Sequence, residues 1–194
     1  MTHTDPLRSL DTWLHARIGA LPHSPADRWL RRLTTAADHG RLWMAVGLLL
    51  AARGGPPRRA AVRGLGSMAV SSALVNAVLK RVFGRRRPDL SGHPVERLLR
   101  HHLTTHSFPS GHSASAGAFV TGVALECPPA GALLAPLALA VGYSRVHVGV
   151  HFPGDVVAGL AVGSAVAAAG RCLPTGAALD PAEWRARHYG PEQG

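Results

Sequence analysis

Residues 144–155 read SRVHVGVHFPGD and join two apolar stretches at 130–143 and 156–173. Proline is favoured in the first turn of a helix, so Pro153 predicts a helix that begins here and continues through the second stretch. His151 then lies on the loop before this helix, and Asp155 lies just inside it, close enough for a hydrogen bond between carboxylate and imidazole. Such a bond would fix the tautomer of His151 and leave its other ring nitrogen free to act as a nucleophile.

Three further apolar stretches precede these two, at residues 42–52, 65–79 and 113–127. None is a clean run of the ~20 apolar residues that a bilayer requires, but their many Gly, Ala and Ser residues favour close helix contacts in membranes. The sequence therefore predicts an all-α fold, an integral-membrane bundle of about five spanning helices. Two amphipathic helices at 6–20 and 25–37 are expected to precede the bundle in the headgroup region, where they would shape the entry for a lipid.

The chain has 194 residues, enough for one domain with a substantial core. We expect amphipathic N-terminal helices within 1–38, a membrane domain at 39–173 and a peripheral tail at 174–194. The longest polar insertion spans residues 89–108, and a short amphipathic helix is expected inside it at 95–103.

The formal net charge of +10 indicates an anionic partner. The basic residues lie between apolar runs, at 53–63, 80–87 and 171–187, as basic loops that flank membrane spans do. A nucleic-acid-binding protein would instead gather them on one face among aromatic or amide side chains. We therefore expect membrane lipids and a phosphorylated substrate as partners, and no nucleic acid. If 53–63 is a cytoplasmic loop, alternating crossings place the polar clusters on the extracytoplasmic face of a cell membrane.

A second polar cluster, PSGH at residues 109–112, opens the stretch at 113–127. Pro-Ser-Gly before an apolar helix describes a helix start, whose unpaired N–H groups bind anions. Gly111 lacks the side chain that would keep a phosphate away, and His112 stands in the first turn beside it.

A third cluster, KRVFGRRRP at residues 80–88, follows the stretch at 65–79. Lys80 and Arg87 from this cluster, with Arg145 from the segment at 144–155, would neutralise phosphoryl oxygens as charge shifts in a transition state.

The same histidines allow a rival interpretation, because His147, His151 and Asp155 recur every four residues and would form a metal-binding face on a continuous helix. Further ligands would then come from His101, His102, His106 and His112. However, Pro153 should break the helix before the third ligand, and the cationic cluster would repel a divalent ion. The sequence therefore favours a site without a metal or cofactor.

Taken together, the three clusters resemble the type-2 phosphatidic acid phosphatase superfamily, which includes lipid phosphate phosphatases, acid phosphatases and vanadium haloperoxidases. The pattern of this family is Lys, six residues, Arg-Pro; then Pro-Ser-Gly-His; then Ser-Arg, five residues, His, three residues, Asp. Residues 80–88, 109–112 and 144–155 match it in order and spacing. The resemblance covers about residues 40–171.

The resemblance implies that His151 is a nucleophile that forms a phosphohistidine, that Asp155 orients it and that His112 protonates the leaving oxygen. It also implies a set of phosphate-binding residues, which are Lys80, Arg87, Ser110, Gly111 and Arg145.

The expected function is that of a bacterial, metal-independent lipid phosphate phosphatase. Its substrate would be phosphatidic acid, phosphatidylglycerol phosphate, a polyprenyl diphosphate or a polyprenyl-linked sugar phosphate. The alternative is a soluble acid phosphatase or vanadate-dependent haloperoxidase with the same pocket. A metal-dependent membrane hydrolase and a non-enzymatic basic membrane scaffold are less favoured.

Overall fold

The computed structural model describes residues 6–90, 99 and 105–172. The predicted tail at 174–194, nearly all of the helix predicted at 95–103, and the candidate ligands His101 and His102 lie outside the described residues.

Regular structure in the described part of the chain is entirely helical, which confirms the predicted all-α fold. The N-terminal segment contains α1 (Pro6–Gly19), α2 (Pro25–Ala36) and a 3₁₀ turn (Asp38–Gly40). The bundle contains α3 (Arg41–Ala51), α4 (Gly55–Leu74), a π-helical segment (Val75–Leu79), α5 (Lys80–Phe83), α6 (Gly111–Glu126), α7 (Pro128–His147), α8 (Pro153–Ala169) and a 3₁₀ turn (Gly170–Cys172).

Three helical segments are long and apolar enough to cross a membrane: Gly55–Phe83, Pro128–His147 and Pro153–Cys172. The helices α3 and α6, at two of the five predicted stretches, have 11 and 16 residues. Both are shorter than the ~20 residues of a typical span. By length and composition, the described residues therefore contain three candidate spans where the sequence predicted about five.

The helix α4 begins ten residues before the predicted stretch at 65–79 and takes in most of the basic segment 53–63, which we expected to be a loop. Two features of the sequence explain the difference. Prolines follow Gly55 in the first turn, where they favour a helix start. The buried side chain of Arg63 donates a 2.6 Å hydrogen bond to Glu126, so its charge is paired inside the helix packing.

The helix α6 lies at the centre of the bundle, between α4, α7 and α8. Small residues allow its neighbours to approach closely. A side chain at Gly117 would place its Cβ 2.5 Å from the Leu160 carbonyl oxygen of α8, and one at Gly122 would lie 2.9 Å from Cα of Gly64 in α4. The aromatic ring of Trp43 from α3 packs on that of Phe119 at a centroid distance of 5.2 Å.

The N-terminal helices begin and end within one residue of their predicted bounds. They pack on the bundle through α7, and α1 also contacts α8. Trp13 and Trp29 are exposed on α1 and α2, and a position of these helices in the lipid headgroup region stays a hypothesis.

Candidate active site

Three connecting segments, at residues 84–90, 105–110 and 148–152, meet at one end of the bundle and bring the three sequence clusters together. Hydrogen bonds join these segments and the start of α8: from Ser107 N to Arg85 O (2.9 Å), from Ser110 N to Asp155 O (2.9 Å) and from Arg87 Nη1 to Val150 O (2.8 Å). The clusters are therefore held together by backbone carbonyl groups, independently of any ligand.

A cavity of about 760 Å³ opens where these segments meet α4 and the 3₁₀ turn at Asp38–Gly40. Six of the eight predicted site residues line it: Lys80, Arg87, Gly111, His112, Arg145 and His151. The wall formed by α4 and the π-helical segment adds Met68, Ala69, Ser72, Ala73 and Asn76.

His151 lies on the loop before α8, as predicted, and its side chain is buried. Its Nε2 atom is 3.4 Å from Nη1 of Arg87, on the cavity side, and its Nδ1 atom is 3.5 Å from Oδ2 of Asp155. Burial lowers the pKa of His151 to about 3, although the contact with Asp155 raises it, and the charges of Arg145 and Arg87 lower it further. The imidazole is therefore neutral, the form in which a ring nitrogen can attack phosphorus.

Asp155 does not line the cavity but lies behind His151 in the first turn of α8, fully buried. Its Oδ2 atom accepts a 2.9 Å hydrogen bond from Phe152 N, and Oδ1 accepts one of 2.8 Å from Nη1 of Arg85. Arg85 also pairs with Asp11 of α1 at 2.8 Å. The sequence did not predict Arg85 or Asp11, since Arg85 is one of three consecutive arginines and Asp11 is far away in the chain.

His112 stands in the first turn of α6, as predicted, and lines the same cavity as His151. Its Nε2 atom is 2.8 Å from Oδ1 of Asp38. Burial lowers the pKa of His112 to about 4, the charges of Arg145 and Lys80 lower it as well, and Asp38 raises it. A bound phosphate dianion would add negative charge beside the ring and favour the imidazolium form.

Three cationic side chains, Lys80, Arg87 and Arg145, line the same cavity as the two histidines. Arg87 is anchored by the Thr105 carbonyl oxygen at 2.9 Å and the Thr105 hydroxyl at 3.0 Å. Arg145 is almost fully buried in the last turn of α7, where Nη1 donates to the hydroxyl of Thr34 on α2 at 2.5 Å. Lys80 extends towards the start of α6, since a Cβ at Gly111 would lie 3.7 Å from its Nζ atom. Together with the N–H groups of Gly111 and His112 at that helix start, these cations form an anion-binding site.

Ser110 does not line the cavity. Its buried hydroxyl accepts hydrogen bonds from Ser113 N at 3.4 Å and Ser113 Oγ at 3.0 Å, and so caps α6. A contact between Ser110 and phosphate therefore stays a prediction.

The alternative metal-binding face is not assembled. His147 points away from the cavity, with Nε2 at 2.7 Å from Oδ1 of Asp27, whose other oxygen binds His23 at 2.6 Å. The loop at 148–152 interrupts the four-residue spacing, because α7 ends at His147 and α8 begins at Pro153. Among the residues that the structure describes, no group of three His, Cys, Asp or Glu side chains is arranged to hold a metal ion.

A family model described as the PAP2 superfamily matches residues 61–176. The lipid A 1-phosphatase of Rhizobium etli is 42% identical over 101 residues, which make up 48% of this chain and 42% of that protein. The chain therefore spans well under two thirds of this relative. The decaprenylphosphoryl-5-phosphoribose phosphatase of Mycobacterium tuberculosis is 34% identical over 140 residues, 71% of this chain and 75% of that protein.

Two crystal structures have the same fold. The transmembrane PAP2-type phosphatidylglycerolphosphate phosphatase of Bacillus subtilis superposes with a TM-score of 0.67 at 23% identity, over 86% of this chain and 85% of that one. LpxE of Aquifex aeolicus gives a TM-score of 0.66 at 23% identity, over 82% of this chain and 93% of that one. With the three candidate spans, this similarity indicates an integral membrane protein.

Proposed function

Because the chain belongs to the PAP2 superfamily, we propose that it is a metal-independent lipid phosphate phosphatase that works through a phosphohistidine on His151. One observation carries the proposal. His151 and His112 line the same cavity as three cations, and the nitrogen of His151 that does not face Asp155 lies on the cavity side. A nucleophile, an acid and a phosphate-binding site are thus within one substrate's reach.

In the first step, Nε2 of His151 attacks phosphorus. A P–N bond forms, the bond to the leaving oxygen breaks, and that oxygen takes a proton from the imidazolium of His112. In the second step, neutral His112 accepts a proton from water as the water oxygen attacks phosphorus, and the P–N bond breaks. Inorganic phosphate leaves, and His112 is protonated again for the next cycle.

The cations supply the electrostatic part of the reaction. Lys80, Arg87 and Arg145 bind the equatorial oxygens, on which negative charge is spread in the transition state. The side chains of Arg87 and Arg145 are held by neighbouring backbone and hydroxyl groups before substrate arrives, so these two arginines need little reorganisation during the reaction.

A lipid substrate is supported by the position of the cavity beside a candidate span. Its wall includes Met68, Ala69 and Ala73 of the Gly55–Phe83 segment, which is apolar enough to cross a membrane. An alkyl or prenyl chain bound to the phosphate would lie along this wall and extend into the lipid phase. The names of the relatives, a lipid A 1-phosphatase and a decaprenylphosphoryl-5-phosphoribose phosphatase, are consistent with such a substrate. The active site would open to the extracytoplasmic face of a bacterial cell membrane.

The test is phosphate release by detergent-purified protein from phosphatidic acid and from a polyprenyl diphosphate, each with and without excess EDTA. The wild type should release phosphate in both conditions, and His151→Gln should release none. The matched control is His106→Gln, because His106 is an exposed histidine close to the cavity that does not line it.

Loss of activity in EDTA would contradict the metal-independent mechanism. Full activity of His151→Gln would contradict the phosphohistidine. Release from soluble phosphoesters alone, or vanadate-dependent peroxidation, would favour the soluble-enzyme alternative.

A further inference from the structure

Asp38 lies in the 3₁₀ turn that joins the N-terminal helices to the bundle, outside the residues matched by the family model. Its Oδ1 atom is 2.8 Å from Nε2 of His112, although 74 residues separate the two in sequence. An ionised carboxylate can only accept hydrogen bonds, so Nε2 of His112 carries the hydrogen of this bond.

The backbone that follows Asp38 adopts an uncommon conformation. His39 and Gly40, which follow it, both have left-handed dihedral angles, with φ of 55° and 74°. A non-glycine residue in this region is uncommon and strained. The two residues lie between α2 and α3, and Asp38, His39 and Gly40 all line the cavity.

Charge gives Asp38 a specific role. The acid of the proposed reaction must carry a proton in a cavity lined by Lys80, Arg87 and Arg145. Burial and the charges of Arg145 and Lys80 lower the pKa of His112 and so oppose its protonation. Among the described residues that line the cavity, Asp38 is the one carboxylate. Asp155, a fully buried carboxylate behind His151, is engaged by Arg85 and His151.

We propose that Asp38 is the positioning residue of the general acid, which holds the His112 imidazolium through Nε2 so that its Nδ1 proton faces the leaving oxygen. This inference rests on the proposed phosphatase function. The N-terminal segment would thus complete the site: His112 gives the Nδ1 proton to the leaving oxygen as the P–O bond breaks, and its Nε2–H remains bonded to Asp38.

Dependence on the leaving group tests this role, because an acid matters only when the leaving oxygen is basic. The probes are a lysophosphatidic acid, with an alkoxide leaving group, and p-nitrophenyl phosphate, whose phenolate leaves without protonation. Asp38→Asn should lower kcat/KM on the alkyl phosphate by ~10²-fold or more, the lower range for general acid catalysis. It should lower kcat/KM on the aryl phosphate less than about 3-fold.

The matched control is Asp27→Asn. Like Asp38, Asp27 is a carboxylate of the N-terminal segment that pairs with a histidine, His147, but Asp27 is fully buried and neither residue of this pair lines the cavity. Because Asp27 does not line the cavity, any loss that its substitution causes should be equal on the two substrates. A double-mutant cycle adds a second readout: Asp38→Asn should have no further effect on the alkyl phosphate in a His112→Gln background.

Equal losses on both substrates for Asp38→Asn, or no loss on either, would overturn the proposal. If Asp38→Asn aggregates in detergent, Asp38→Ser removes the same charge. It is judged in the same way, by comparing its loss of kcat/KM on the alkyl phosphate with its loss on the aryl phosphate. Inactivity of the wild type on both probes and on phosphatidic acid would instead reject the phosphatase function itself, so the two failures are distinguishable.

Discussion

Oδ2 of Asp155 lies 3.5 Å from Nδ1 of His151, whereas its Oδ1 accepts a shorter, 2.8 Å bond from Arg85. The carboxylate that orients the nucleophile is therefore itself oriented by an arginine and by the N–H of Phe152. Arg85 is held in turn by Asp11 of α1 and packs over the Phe152 ring at 4.2 Å.

Replacing Arg85 should therefore reduce turnover without removing a group that touches substrate. We expect Arg85→Ala to lower kcat by ~10- to 100-fold, the range seen when partners that orient a ligating or catalytic group are lost. KM should change little, because Arg85 does not line the cavity. Steady-state kinetics on phosphatidic acid measure both constants.

The matched control for Arg85 is Arg86→Ala, since Arg86 is the next residue in the same basic run and is exposed. Similar kinetic losses in the two variants would show that positive charge in this run matters, and not the bond to Asp155.

Asp155→Asn should keep the shape of the side chain but remove its negative charge. That charge favours the His151 tautomer that carries its hydrogen on Nδ1 and leaves Nε2 free to attack. By analogy with orienting carboxylates in other enzymes, turnover should fall by ~10⁴-fold. Rapid alkaline quenching of a reaction with ³²P-labelled substrate should detect the phosphohistidine in the wild type and much less of it in the variant. An Asp155→Asn protein with nearly normal kcat would contradict the proposed dyad.

Much of the cavity could be predicted from sequence because its residues occur at the ends of helices. Pro153 and the Pro-Ser-Gly run mark two helix starts, and these starts fix where His151 and His112 stand. The carboxylates that contact the site from the N-terminal segment could not be predicted in this way. Asp11 and Asp38 approach from more than 70 residues away in the chain, and no local periodicity or turn signal reports such a contact.

The same contacts change how the N-terminal helices are interpreted. The sequence suggested that they shape the entry for a lipid, and a deletion of residues 1–37 would be the simplest test. However, Asp11 binds the start of α8 through Gly154 N, and Thr34 binds Arg145. Deletion would disturb the site itself, so lipid entry is better tested by substitutions on the exposed faces of α1 and α2.

Packing between α6 and α8 should be sensitive to one added methyl group. A Cβ at Gly117 would lie 2.5 Å from a backbone oxygen that cannot move independently of α8. Overpacking of this kind lowers the free energy of unfolding by ~1–3 kcal/mol. This loss outweighs the ~1 kcal/mol by which alanine stabilises a helix relative to glycine. Gly117→Ala should therefore lower Tm in detergent. The control is Gly66→Ala, which has open space around its Cβ position and should leave Tm unchanged or raise it. Equal Tm values for the two variants would contradict the close packing described for α6.

Protonation of His151 should make the folded protein less stable at acid pH. Its pKa is about 3 in the folded chain because the ring is buried, and about 6.5 when unfolded, so between these values only the unfolded state binds the proton. This contribution to stability is complete above pH 6.5 and declines as the pH falls. At pH 5 the loss of stability amounts to roughly 2 kcal/mol by linkage.

His151→Gln has no titrating group at this position, so thermal unfolding in detergent between pH 7.5 and pH 5 should show a steeper decline in Tm for the wild type than for this variant. Parallel declines would mean that His151 is already protonated, or exposed, in the folded protein, and would remove the basis for a neutral nucleophile.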